Sequence, residues 1–253
     1  MIRSIPLLLA AWLALPGASA ADVLIVADEF PAMEYVAAQL ERQEGLTSKI
    51  VSQDQMPAAL AGFRALIVYI HRELKPGPEH AMIDYTRNGG RLVALHHSIS
   101  SGKRKNADWF PFLGIELPLG DVDQGGYKWI EPVTLHVVNL APEHFITTHQ
   151  VDYPERIAST PSEAPGGYRY RPGFTLPASE VYLNHRPTEP RTLLLGFKYS
   201  DAKTGRVWMQ DRAGWLKPAG KGLIVYFLPG HSLLDFENAA YTRMIINAVI
   251  YQP

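Results

Sequence analysis

The sequence predicts an α/β fold in which a parallel sheet carries helices on both faces. Short, wholly apolar, β-rich runs recur along the chain, as strands covered on both sides require. Between them lie segments whose apolar residues recur at helical spacing. The 253 residues are 47 % hydrophobic, enough to fill one sizeable core.

Residues 1–20 stand apart from that pattern. Arg3 is followed by an apolar run from Ile5 to Leu15 and by the small residues Ala18, Ser19 and Ala20. This is the pattern of a secretory signal peptide cleaved after Ala20, so the expectation is an exported, soluble protein, periplasmic or secreted. The run is short for a membrane span, and no other segment approaches the necessary length. Residues 21–253 then form a single α/β domain.

The elements follow in order. "VLIV" (23–26) is the first strand, and "PAMEYVAAQLER" a helix with Pro31 in its first turn. "SKIVSQ" and "ALIVYI" (65–70) are the next strands. "GPEHAMIDYTRNGG" is a helix opened by Pro78 and stopped by Asn88, Gly89 and Gly90, after which "RLVAL" is the fourth strand. "TLLLGFKYS" and "GRVWMQDR", joined by a turn from Asp201 to Gly205, read as antiparallel additions. "GLIVYFL" (222–228) is a last strand. The closing helix places Tyr241, Met244, Ile245 and Ala248 on one stripe. Residues 142–190 differ, with eight prolines, three glycines and no long periodic run. They are expected to form an irregular cap or binding loops over the sheet.

Composition excludes several classes of function. A net charge of −1 gives no electrostatic case for nucleic acid or an anionic membrane. The absence of cysteine removes disulfides, thiolate nucleophiles and Cys-ligated zinc together.

Ligands of open α/β sheets bind beyond the carboxyl ends of the strands. There the sequence places Asp28 and Glu29, then His71, Arg72 and Glu73, then His96, His97 and Ser98, and finally His231. A single histidine at a strand end is more often structural than catalytic. Four strand ends delivering imidazole or carboxylate to one rim argue for a site. His96 and His231 follow the clearest strands. His97, one position on, is expected to face away from the cleft and support it, because successive strand residues alternate. Asp28 and Glu29 can also cap the first helix.

These residues carry a resemblance. "NGGRLVALHHS" resembles the "GGGxVGLHxAS" segment of the ThuA-like (trehalose utilisation) family. "ITTHQVDYPE" and "ASEVYLNHRP" fall at its "HPIT" and "DELY" motifs, and residues 222–251 resemble its closing "LGH" segment and helix. The resemblance implies a flavodoxin-like core, related to class I glutamine amidotransferases, and a role in sugar metabolism. In those amidotransferases a catalytic cysteine occupies a sharp turn after a central strand. This chain has His96 and His97 near that point and no cysteine, which excludes glutamine hydrolysis through a thioester. By the same resemblance His96 matches the "LH" histidine, His231 the "LGH" histidine, Glu180 and Tyr182 the "DELY" pair, and His144 the histidine of "HPIT". The chain departs from the family at Ser179, where "DELY" has aspartate. It departs again in "GGYKWIEP", which lacks the histidine of "GGxFxxHP".

The chemistry expected is acid–base or metal-assisted action on a sugar or keto-sugar glycoside, as a hydrolase or lyase. His96, His231 and Glu180 are the candidate catalytic groups and the candidate ligands of a divalent, zinc-like ion. Tyr182, His97, His144, Glu29 and His71 are candidate substrate contacts. Two alternatives remain open. One is a non-catalytic carbohydrate-binding module using aromatic faces, with "DWFPF" (108–112), Tyr127, Trp129 and Trp208 as candidates. The other is a structural subunit of an exported complex.

Overall fold

A computed structural model describes residues 21–160, 162 and 167–253. The expected signal peptide lies outside the described residues.

The apolar runs "VLIV", "ALIVYI", "RLVAL" and "GLIVYFL" each form a strand, as expected. In chain order the elements are β1 (Val23–Ala27), α1 (Pro31–Glu44), β2 (Ser48–Val51), β3 (Ala65–Tyr69), α2 (Pro76–Arg87) and β4 (Arg91–Leu95). Then come α3 (Trp109–Leu113), β5 (Ile115–Glu116), β6 (Lys128–Asn139), α4 (Phe145–Thr148), β7 (Glu155–Ser159) and β8 (Arg169–Leu183). The chain ends with β9 (Arg186–Pro187), β10 (Thr192–Ser200), β11 (Val207–Ala219), β12 (Gly222–Phe227), α5 (Leu233–Phe236) and α6 (Ala239–Ile250). α1 starts on Pro31 and is closed by Gly45 in the left-handed conformation, φ +66°. α6 is buried from Ala240 to Val249 on every side, so its expected single stripe is part of a wholly enclosed helix.

One ten-stranded sheet runs in the order β2-β1-β3-β4-β12-β11-β10-β6-β8-β7. Its first five strands are parallel, and β1, β3 and β4 bury nearly every residue. The other five are antiparallel. The expected parallel core therefore makes up one half of the sheet, and a flavodoxin-like description covers at most that half.

The irregular cap expected over 142–190 is not what forms. That stretch holds α4, β7, β9 and the fifteen-residue β8. One proline of that stretch, and one in the strand beside it, fall where a strand accepts them. Pro177 lies between Leu176 and Ser179, where the β6–β8 register shifts, and Pro132 lies in the neighbouring shift between Ile130 and Val133. Proline lacks the N–H for a ladder bond and is tolerated at such bulges, so proline content there marks a bent strand rather than a loop.

β8 stands five places from β4 in the sheet order. At about 4.8 Å per strand a flat sheet would hold them roughly 24 Å apart. Yet Glu180 of β8 touches His96 at the end of β4. The antiparallel half therefore curls back over the carboxyl ends of the parallel strands, helped by register shifts in β6–β8 and β10–β11.

Candidate active site

β4 ends at Leu95 and the chain turns at once into a tight turn, His96–Ile99. His96 has φ +37°, a conformation that costs a non-glycine residue of order 1–3 kcal/mol. This histidine stands on a strained elbow after a central strand. It is completely buried, and Tyr182 stacks on its ring at 4.8 Å and 16°. Because His96 and His97 sit on a turn, the alternation expected of a strand does not apply. Both rings turn the same way, their centroids 4.2 Å apart. The expectation that His97 faces away is thus overturned. His97 lines the cavity, with His71, Tyr127, Trp129, Glu131 and His231 among the other lining residues, and His96 lies beneath.

Three imidazoles converge on one carboxylate oxygen, Oε2 of Glu180. His96 Nε2 is 2.9 Å away, His231 Nδ1 3.3 Å and His97 Nε2 3.6 Å. The His96 and His231 rings, from two different strand ends, are 5.8 Å apart. Tyr182, two residues on from Glu180 and so on the same side of β8, points its hydroxyl at Glu180 (3.3 Å) and His96 (3.4 Å). His231 Nε2–H donates to Glu131 at 2.8 Å. His71 stacks flat on His97 at 3.9 Å and bonds Glu29 through Nδ1 at 2.9 Å. Glu29 is therefore no helix cap, and Asp28 instead accepts from the backbone N–H groups of His71 and Arg72.

The cluster is electrostatically divided. Burial works against ionisation of Glu180, but the imidazoles gathered on it, His231, His96 and His97, outweigh it and hold the carboxyl well below its usual range. Burial, with His96 beside it, pushes His97 down to about 3, so its ring is neutral in ordinary conditions. His231 moves the opposite way. Its hydrogen bond to Glu180 raises it against the opposing effect of burial, with Glu131 adding to the rise.

Proton placement shows what the cluster is suited to hold. His96 Nδ1 faces the carbonyl oxygen of Leu228, which can only accept, so Nδ1 carries the proton. In the neutral ring Nε2 then presents a lone pair to a carboxylate oxygen. Two acceptors face each other at 2.9 Å, which is stable only with a proton or a cation between them. One ligand atom each from His96, His97, Glu180 and His231 lies within 4.8 Å of the others. Three imidazole nitrogens and a carboxylate oxygen suit zinc and neighbouring divalent ions. The outer contacts also fit: Leu228 O on His96 and Glu131 on His231 are the carbonyl and carboxylate partners that metal-binding imidazoles use. The expected ligand set, His96, His231 and Glu180, is thereby enlarged by His97.

Other expectations fall away. His144 caps α4, accepting from Ile146 N, and packs on Tyr251, so it is not among the residues around Glu180. Its resemblance to "HPIT" reflects a helix start. Trp109 is fully buried and donates to Ser98 O, and Phe110 and Phe112 are core. Trp208 stacks under Arg206. Tyr127 and Trp129 remain as cavity aromatics, with Trp129 52 % exposed. The cavity encloses about 260 Å³. A larger one, about 520 Å³, lies near Arg64, Tyr85 and Asn88 and gathers no such cluster. Glu131 is a site residue that sequence reading missed. It occupies the position where the family's "GGxFxxHP" has histidine, and that replacement of one ionisable group by another was the available signal.

Comparison with solved structures finds the same fold over most of the chain. A protein described as ThuA-like from Bacteroides uniformis ATCC 8492 matches over 93 % of this chain and 94 % of its own, with TM-score 0.59 and 17 % identity. Another, from Parabacteroides merdae ATCC 43184, matches over 91 % and 88 %, with TM-score 0.61 and 12 % identity. A cytoplasmic protein from Salmonella typhimurium LT2 matches over 90 % and 98 %, with TM-score 0.58 and 14 % identity. The fold is that of ThuA-like proteins, as the sequence resemblance implies. No protein-family model matches the sequence, and no curated protein does. Among the described residues no helix is long and apolar enough to cross a membrane.

Proposed function

We propose that the protein is an exported enzyme of carbohydrate metabolism that cleaves a keto-glycoside with the help of a divalent metal. His96, His97, His231 and Glu180 hold the ion. The reading is carried by His96, whose Nδ1 proton is committed to Leu228 O while Nε2 faces the Glu180 carboxylate.

A bound divalent ion would supply Lewis acidity towards a sugar carbonyl. The residues of the chain account for the rest. Glu131 stands on the cavity wall, its side chain partly exposed and bonded to His231, and is placed to take a proton from the carbon beside that carbonyl. His71, also on the wall and oriented by Glu29, is placed to protonate the departing glycosidic oxygen. Trp129 and Tyr127 offer the flat faces on which a sugar ring packs. Neutral His97 keeps its lone pair for the metal, since ligands must be deprotonated to bind.

Elemental analysis and a keto-sugar screen test this together. Protein purified without chelator is expected to carry a divalent metal and to release the leaving alcohol from 3-keto-glucosides. Chelation should abolish the release and added metal restore it. Folded protein that takes up no metal and turns over no keto-glycoside refutes the reading.

A further inference from the structure

Asp235 takes no part in the chemistry just described, and nothing in the sequence singles it out. It is 1 % exposed, on the short α5. One of its oxygens, Oδ2, accepts three hydrogen bonds: from Ser179 Oγ at 2.6 Å, from Gly230 N at 3.0 Å and from His231 N at 2.9 Å. Those donors belong to the two segments that deliver Glu180 and His231, the β8 strand and the loop after β12.

We infer that Asp235 is a positioning residue, a single buried carboxylate that locks Glu180 and His231 into register with each other. The inference rests on the proposed metal-assisted site and adds to it the device that assembles it. Ser179 and Glu180 are consecutive in β8 and project to opposite sides. Asp235 therefore grips the back of the strand while Glu180 faces the imidazoles. The grip falls just after the bulge at Pro177 and Ala178, where the ladder is interrupted and fixes the strand's rotation least.

On the other segment, both amides that position His231 end on the same oxygen. The loop's carbonyls are held as well, Gly230 O by the Tyr69 hydroxyl at 2.8 Å and Pro229 O by that of Tyr241 at 2.5 Å. Gly230 has φ +127°, and a Cβ there would meet the Phe236 ring at 2.9 Å and His96 Cβ at 3.3 Å. The loop is thus pressed against His96, and Asp235 sets where its next residue, His231, projects. Charge-assisted bonds to backbone N–H groups are stronger than neutral ones, which suits a carboxylate to this task.

The test compares Asp235→Ala, Asp235→Asn, Ser179→Ala and Ser179→Thr with the parent chain. Zinc affinity is measured by chelator competition, and histidine ring resonances are recorded on metal-free protein. Asp235→Ala should weaken zinc by roughly 10–100-fold, the range for lost outer-shell partners, and Asp235→Asn, which keeps an acceptor oxygen, should regain most of it. Ser179→Ala should weaken zinc several-fold and Ser179→Thr restore it, a rescue that mere loss of stability does not give. In the metal-free protein the His231 resonances should move in Ser179→Ala while those of the distant His144 stay put. If Asp235→Ala fails to fold, the serine pair decides. If the parent chain binds no zinc, the metal reading fails on its own, and the His231 resonances still judge Asp235. Zinc affinity within twofold of the parent in folded Ser179→Ala, or unmoved His231 resonances, overturns the inference.

Discussion

The two halves of the sheet contribute different chemistry by different routes. The parallel half offers nitrogen: His71, His96, His97 and His231 all follow the ends of its strands. The antiparallel half offers oxygen and aromatic faces: Glu180, Tyr182, Glu131 and Trp129 stand within the long strands β6 and β8. A strand end lets backbone turn and side chains gather, so one half builds its share from loops. The other half must reach the same point with residues inside strands, and does so by curling. The site exists where the two meet, with neither half holding all four members of the His96, His97, Glu180 and His231 cluster.

Removing one contribution from each half tests that division. Glu180→Gln should cost the most. It removes the carboxylate at the centre of three imidazoles, and metal affinity should fall by at least about 100-fold while the fold persists. His97→Ala, from the parallel half, should cost about 10–100-fold, since two imidazoles and Glu180 remain. Both are read by calorimetric titration with zinc. Equal and small losses from the two variants would break the comparison.

Acid stability of the metal-stripped protein sharpens it. Each half buries a histidine held at about 3, His97 by burial and then His96, His185 by burial and then Arg212. Between pH 3 and the ordinary value of 6.5 the unfolded chain binds a proton at each position that the folded chain does not. Stability therefore rises with pH across that window and levels off above it. His231, raised by Glu180, has the opposite sign, its contribution being present in acid and lost as pH climbs past its folded value. Replacing His185 with Gln should flatten the acid limb by up to about 1.4 kcal/mol per pH unit, measured by urea unfolding. An unchanged limb would mean that the antiparallel half does not resist protonation as its burial implies.

The smallest effect concerns the exposed aromatic. Trp129→Ala should change stability by no more than about 0.5 kcal/mol, yet weaken sugar binding several-fold. Differential scanning calorimetry and ligand titration separate the two, and unchanged sugar affinity would remove the stacking face from the site.

The same division explains what could be read in advance. The parallel half announces itself, because doubly covered strands are uninterrupted apolar runs and their ends are easy to find. The grouping of His96 and His231 followed from that alone. β6 and β8 are half-covered and interrupted by Pro132 and Pro177, which hid them. The alternating burial of Val133, Leu135 and Val137 is the trace β6 leaves in the sequence, and it was not among the runs read as strands. Glu180 and Tyr182 were reached through motif resemblance, whereas Glu131 and Asp235 were missed, since their partners lie 100 residues off or in another element. The reversal of His97 has a local cause: the chain leaves β geometry at His96, where φ becomes positive, one residue before the alternation rule was applied.

The curl of the sheet also has a consequence in time. Glu180 meets His96 across 84 positions of sequence, and Leu228 O meets the same ring across 132. Contacts so far apart form late, after their intervening loops have closed. A chain emerging from the ribosome has already released His96 and His97 long before β12 exists to complete their surroundings. Until then the two imidazoles lack both the carbonyl that fixes one tautomer and the carboxylate that would share an ion. The four-residue cluster thus becomes complete late, only in a chain whose last strand has found its place.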